Sequence, residues 1–76
     1  MKTEDFLVEL EDILQREEPC NVNDALTDYE EWDSLSKMAV MAYYKKNFGV
    51  DINLNTLKEI NTVDELIKLA GDKIID

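Results

Sequence analysis

The sequence predicts an all-α fold, a bundle of three main helices plus one short helix with a long loop between the first two. Three observations carry this reading. Apolar residues recur at helical spacing in three separate segments. A chain of 76 residues has room for one small domain, expected over residues 1–76. Two glycines and one proline are too few for the many turns of an all-β fold. Hydrophobic residues make up 45% of the chain, enough to build a core and to exclude compositional disorder.

The first helix is expected over residues 4–16, where Phe6, Leu7, Leu10, Ile13 and Leu14 share one face. Thr3 is available as its N-cap, and Glu4 and Asp5 stand in the first turn, where the helix dipole favours anions. Pro19 is expected to end it. Residues 17–33 then show no sustained period, but keep Val22, Leu26, Tyr29 and Trp32 as apolar anchors. Ordered loops longer than about 12–15 residues are uncommon in small domains, so this one points to function.

The second helix spans residues 34–48, with Asp33 as N-cap and Gly49 as the residue that ends it. Drawn at 100° per residue, it carries two stripes. Val40, Met41, Tyr44 and Phe48 form one, and Leu35, Met38, Ala39 and Ala42 form the other. One must face the core. The second is either core as well or a docking strip for another protein. Of the adjacent Tyr43 and Tyr44, the latter is expected in the core and the former at the surface.

A short helix fits residues 54–60, capped by Asn53 or Asn55. Thr62 and Glu65 form a capping box for the last helix, whose core face is Val63, Leu66, Ile67, Ala70 and Ile74. Gly71 either weakens that helix or marks its end.

Composition excludes several function classes. The formal charge is −10, which repels phosphate backbones, so no nucleic-acid partner is expected. The excess lies wholly in residues 1–33, with twelve acids and two bases, while residues 34–76 hold six of each. That asymmetry either keeps the protein soluble or steers a basic partner to one side. The absence of histidine removes imidazole bases and His–Cys zinc clusters. Acids interrupt every apolar run, leaving neither a signal-peptide core nor a stretch of about 20 apolar residues able to span a bilayer. The expected setting is cytoplasmic, with no membrane partner.

Asp51-x-Asn53-x-Asn55 matches the start of a calcium loop, but the positions that need Gly and a bidentate carboxylate hold Thr56 and Thr62. No metal site is expected. Cys20 follows Glu17 and Glu18, whose charge raises a thiol pKa, so it reads as structural. Glu30 and Glu31 are neighbouring acids in a solvated loop, without the burial that would set their pKa values apart for catalysis. What remains is Asp33-Ser34-Leu35. A serine in the first turn of a helix, just after a long loop, offers its hydroxyl where free N–H groups and the dipole stabilise an attached phosphate. The same serine could instead only help Asp33 cap the helix.

From Asp33 on, DSLSKMAVMAYYKKNFGVDINLNTLKEINTVDELIKLA resembles the acyl carrier protein family without a gap. The likeness includes the D-S-L motif after a long loop, the aromatic Phe48 at the helix end, Ile52 four residues on, and Ile60, Thr62 and Val63 opening the last helix. Helix one and the acidic loop are similar in place and length, so the resemblance covers essentially the whole domain.

The resemblance implies an acyl-carrier-like bundle that carries 4′-phosphopantetheine covalently on Ser34, attached from coenzyme A by a phosphopantetheinyl transferase. The thiol of that arm, not Cys20, would hold an acyl or aminoacyl group as a thioester, and the protein would do no chemistry itself. Implied partners are an acyl- or aminoacyl-loading ligase and downstream transferase or condensing enzymes, met by a monomer. Asp33, Glu30 and Glu31 would present charge to them, with Leu35, Met38 and Ala42 as the apolar contact. Fatty-acid carriers typically place Glu and Asp where this helix has Ser36, Ala39, Lys45 and Lys46, and often have Gly at the place of Trp32. These departures point to a specialised pathway. The alternative is an unmodified acidic helical module that binds a protein partner.

Overall fold

The computed structural model describes residues 1–75. It contains α1 (Thr3–Leu14), α2 (Ser34–Phe48), α3 (Leu54–Glu59) and α4 (Val63–Lys68), with 3₁₀ turns at Leu26–Asp28 and Gly71–Lys73. Among the described residues there is no strand, only isolated bridges pairing Lys2 with Ile75 and Ala25 with Thr62. No helix among them is long and apolar enough to cross a membrane.

Both ends of α1 depart from the expectation. Thr3 is its first helical residue rather than its cap, and Lys2 holds the cap position without a side-chain hydrogen bond. The Thr3 N–H donates instead to the Ile75 carbonyl at 3.0 Å, so the C-terminal segment does the capping. The helix stops at Leu14, well before Pro19, because Gln15 turns left-handed at φ 56° and Arg16 N–H reaches back to Glu11 O at 2.9 Å. This 6→1 bond satisfies one of the terminal carbonyls.

The core is built from the predicted faces. Phe6, Leu10 and Leu14 of α1 meet Val40 and Tyr44 of α2, Leu57 of α3, and Val63, Leu66 and Ile67 of α4, all buried. Tyr44 also crosses the core chemically: its hydroxyl donates to the Leu66 carbonyl at 2.6 Å, tying α2 to the C-terminal half of α4. Phe6 and Phe48 pack edge-on against its ring, with centroids 6.0 and 5.1 Å away.

The long loop is ordered by the start of α4. That helix opens with free N–H groups, and the loop fills two of them: Val63 N–H donates to Asp24 O and Asp64 N–H to Val22 O, both at 3.0 Å. Thr62 Oγ takes the N–H of Glu65, whose carboxylate in turn accepts from Thr62 N–H. In the other direction Leu26 N–H donates to Asn61 O at 2.7 Å. Leu26 and Tyr29 are buried by this arrangement, and Val22 and Trp32 are partly buried against the core.

The last helix is shorter than its apolar face suggested. Regular helix ends at Lys68, and Gly71 takes φ 63°, a value L residues with a side chain rarely adopt. A 3₁₀ turn then carries Ile74 into the core. Among the described residues the expected all-α bundle is thus made of two longer helices, α1 and α2, and two short ones, α3 and α4.

Replacing Tyr44 with Phe keeps the ring packing but removes one of the two hydrogen bonds to the Leu66 carbonyl, which keeps the Leu69 N–H at 3.2 Å. Urea unfolding should show a loss of about 0.5–1.5 kcal/mol with an unchanged m value.

Candidate functional site

Asp33 is extended (φ −122°, ψ −175°) and caps α2. Its Oδ1 accepts the Ser36 N–H at 2.9 Å, and Ser36 Oγ accepts the Asp33 N–H at 2.9 Å while donating to Asp33 O at 3.0 Å. The reciprocal cap is thus closed by Ser36, which is buried. Ser34 stands at the first helical position, exposed, and no part of the cap uses its hydroxyl. Of the two roles open to Ser34 in the sequence, capping belongs to its neighbour two residues on.

The second stripe of α2 faces outward. Leu35 is 78% exposed and Met38 54%, and Ala39 and Ala42 are exposed as well. Beside Ser34 a shallow groove of about 430 Å³ runs between the end of α1 (Ile13, Leu14, Gln15) and the start of α2 (Asp33, Leu35, Ser36, Ala39), with Glu31 also lining it.

The charged groups ahead of the helix differ in their engagement. Glu30 is exposed. Glu31 Oε1 receives Arg16 Nη1 at 3.0 Å, and the Arg16 guanidinium lies over the Tyr29 ring, 3.8 Å from its centroid. The Tyr29 hydroxyl donates to Asp24 at 2.6 Å. Two carboxyls sit below their ordinary range as a result of hydrogen bonding: Asp33 chiefly through the Ser36 N–H, and Asp24 chiefly through the Tyr29 hydroxyl. Burial, with the bond to Asp24, pushes the Tyr29 hydroxyl up.

Cys20, in the long loop, is buried. Burial itself is the main cause that pushes its thiol up, opposed by Tyr29 and the Arg16 charge. The expected cause, Glu17 and Glu18, is replaced by desolvation, since both of those side chains are exposed. The residues that imitate a calcium loop are committed elsewhere: Asp51 pairs with Lys45 at 3.0 Å, and Asn53 caps α3 by accepting from Thr56 N–H at 2.8 Å.

Two residues of this region have no role in the sequence reading. Ser36 is the cap partner, visible in principle as Asp-x-x-Ser at the spacing of a capping box whose usual third residue is Glu or Gln. Arg16 is the only arginine in the chain; its role depends on a loop returning to it, which no local pattern announces.

The geometry can be compared with known families. The family described as phosphopantetheine attachment site matches residues 4–70, from the first turn of α1 to just past α4. The chain belongs to this family, that of the acyl carrier proteins. Such carrier domains are the site of covalent 4′-phosphopantetheine attachment, are in general non-catalytic, and work with phosphopantetheinyl transferases and biosynthetic enzymes. No curated protein and no solved structure matches the chain.

The division of labour in this carrier's α2 cap is measurable. Ser36→Ala keeps the N–H that chiefly holds the Asp33 carboxyl down, so that pKa should stay below the ordinary value while stability falls by about 1 kcal/mol, whereas Ser34→Ala should change stability by less than about 0.5 kcal/mol. Because the folded-state pKa values of Asp33 and Asp24 are depressed, their stabilisation is complete above the unfolded value of about 3.9 and is lost as pH falls through the folded values. Carboxyl titration by NMR, with unfolding measured at descending pH, checks both statements.

Proposed function

We propose that Ser34 is the attachment residue and that the chain carries acyl or aminoacyl thioesters for the enzymes of a specialised biosynthetic pathway. One observation supports this above the others: Asp33 and Ser36 complete the cap between them, so Ser34 Oγ stands free at the helix mouth. An exposed hydroxyl on the first residue of a rigid helix fits a group joined through phosphorus. The unpaired N–H groups and the positive end of the dipole favour the phosphodiester anion that results.

In the loading step Ser34 Oγ gives up its proton to the transferase and forms a bond to the phosphorus bearing the pantetheine. The phosphoanhydride bond of coenzyme A breaks, and the nucleotide leaves. The attached arm supplies a terminal thiol on which cargo is held as a thioester. The protein's own residues hold the tether's root in a fixed direction and offer a surface to the enzymes that load and consume the cargo. Leu35, Met38 and Ala42 supply exposed apolar contact next to the root, and Asp33 and Glu30 add exposed charge. Glu31 adds what is left to it by its ion pair with Arg16.

The specialised pathway rests on the composition of α2. Residues 34–48 contain no acid and three lysines, and Lys45 and Lys46 occupy the last turn, where the dipole favours cations. A partner that reads dense negative charge along this helix finds none. Docking charge must come from residues 1–33, where the acid excess lies.

Incubation with coenzyme A, Mg²⁺ and a promiscuous phosphopantetheinyl transferase should add the mass of one phosphopantetheine, mapped to Ser34. Ser34→Ala should gain nothing. An unmodified parent would instead favour the acidic binding module. Leu35→Ala and Met38→Ala should each lower kcat/KM for loading by about fivefold or more, the scale of truncating an interface anchor. The pair Lys45→Glu and Lys46→Glu should leave loading by the protein's own ligase largely intact; a large rise would show that α2 charge is read after all.

A further inference from the structure

Arg16 follows the left-handed residue that ends α1, and its backbone is pinned there by the N–H bond to Glu11 O. From this fixed post the side chain reaches across the long loop. Only 11% of it is exposed. Its guanidinium stacks on Tyr29 and donates to Glu31, while its second partner, Glu18, lies 3.6 Å away on a side chain 85% exposed. Nε is buried with no hydrogen-bond partner among the described residues. The group is therefore placed by the ring and the single carboxylate rather than by full satisfaction of its donors.

The two gripped residues are those from which the α2 cap is hung. Trp32 N–H donates to Tyr29 O at 3.1 Å, and Asp33 N–H points to Glu31 O at 3.0 Å as well as to Ser36 Oγ. A continuous chain of contacts thus runs from the end of α1 through Arg16, Tyr29 and Glu31 to the residue before Ser34. Only arginine can both stack through a planar face and donate from its edge; lysine can pair with Glu31 but cannot replace the stack.

We infer that Arg16 is a positioning residue for the attachment site, clamping the last turn of the loop to α1 so that Ser34 is offered to the transferase in one orientation. The inference rests on Ser34 being the modified residue. It assigns Glu31 to the clamp more than to docking, and the two roles differ in how losses combine. Partners acting through one contact are non-additive, whereas a docking charge and an independent clamp give additive effects.

The test measures transferase kinetics and amide hydrogen exchange on the parent, Arg16→Met, Arg16→Lys, Glu31→Gln and the double variant Arg16→Met with Glu31→Gln. Arg16→Met should lower kcat/KM by about three- to tenfold, mostly through KM. Exchange should quicken at residues 32–36 and stay unchanged at Leu66. Arg16→Lys should recover part of the loss, and the double variant should be no worse than Arg16→Met alone. Parent-like kinetics and exchange in Arg16→Met would overturn the clamp, as would equal acceleration across α2 and α4 or additive losses in the double variant. Where Arg16→Met does not fold, Glu31→Gln, which keeps the stack on Tyr29, carries the same kinetic and exchange expectations. A parent left unmodified while exchange still responds at residues 32–36 would sink the Ser34 assignment and leave the clamp standing.

Discussion

The pair of hydrogen bonds between Asp33 and Ser36 sets the start of α2, and nearly every feature of the site depends on it. A helix must satisfy its first N–H groups somehow. Here the two side chains do so in a closed exchange, which fixes the backbone of residues 33–36 and removes the need for any help from Ser34. A shift of the cap by two residues would bring Ser34 to the position Ser36 now holds, and its hydroxyl would be spent in the cap. The Ser34 hydroxyl is thus left free by a neighbour that takes over the structural duty.

The long loop obeys the same economy of unsatisfied groups. A segment with so few buried side chains does not order itself, yet its carbonyls at Val22 and Asp24 are the acceptors that α4 needs at its own N-terminus. Each element completes the other. Tyr44 closes the circuit by donating from α2 to Leu66 near the far end of α4. The loop that leads to Ser34 and the helix that starts at Ser34 are both referenced to α4, a helix of six residues that could not persist in isolation.

What could be read in the sequence was what depends on neighbours within a turn or two. Asp33 as cap, Gly49 as terminator, the Thr62–Glu65 box and Asn53 ahead of α3 are all local and all found in place. Gly71 was legible as an ambiguity, and the structure places it beyond the regular helix, which ends at Lys68, at the start of the 3₁₀ turn. The misreadings are non-local. Thr3 looks like a cap because its side chain suits one, but the Ile75 carbonyl from the other end of the chain reaches its N–H first. Pro19 looks like a terminator, but Gln15 already turns left-handed, a conformation no glycine or asparagine signals there. The outer stripe of α2 could not be assigned from periodicity, since Leu35 and Met38 are as apolar as any core residue; only the number of surrounding elements decides that nothing covers them.

Charge placement separates residues that the fold explains from those it does not. Glu4 and Asp5, Asp64 and Glu65, and Lys45 and Lys46 stand at helix ends of the favourable sign. Asp24 serves Tyr29, and Glu31 serves Arg16. Asp12, Glu17, Asp28 and Glu30 enter no ion pair among the described residues, and three of them, Glu17, Asp28 and Glu30, line one shallow basin with Arg16, Glu18 and Glu31. That basin shares Gln15 and Glu31 with the apolar groove beside Ser34. The like charges gathered there repel one another, a small cost to the folded state with no internal return. On the proposed function, the field they project beside Ser34 supports docking that takes its charge from α1 and the loop and its apolar contact from α2.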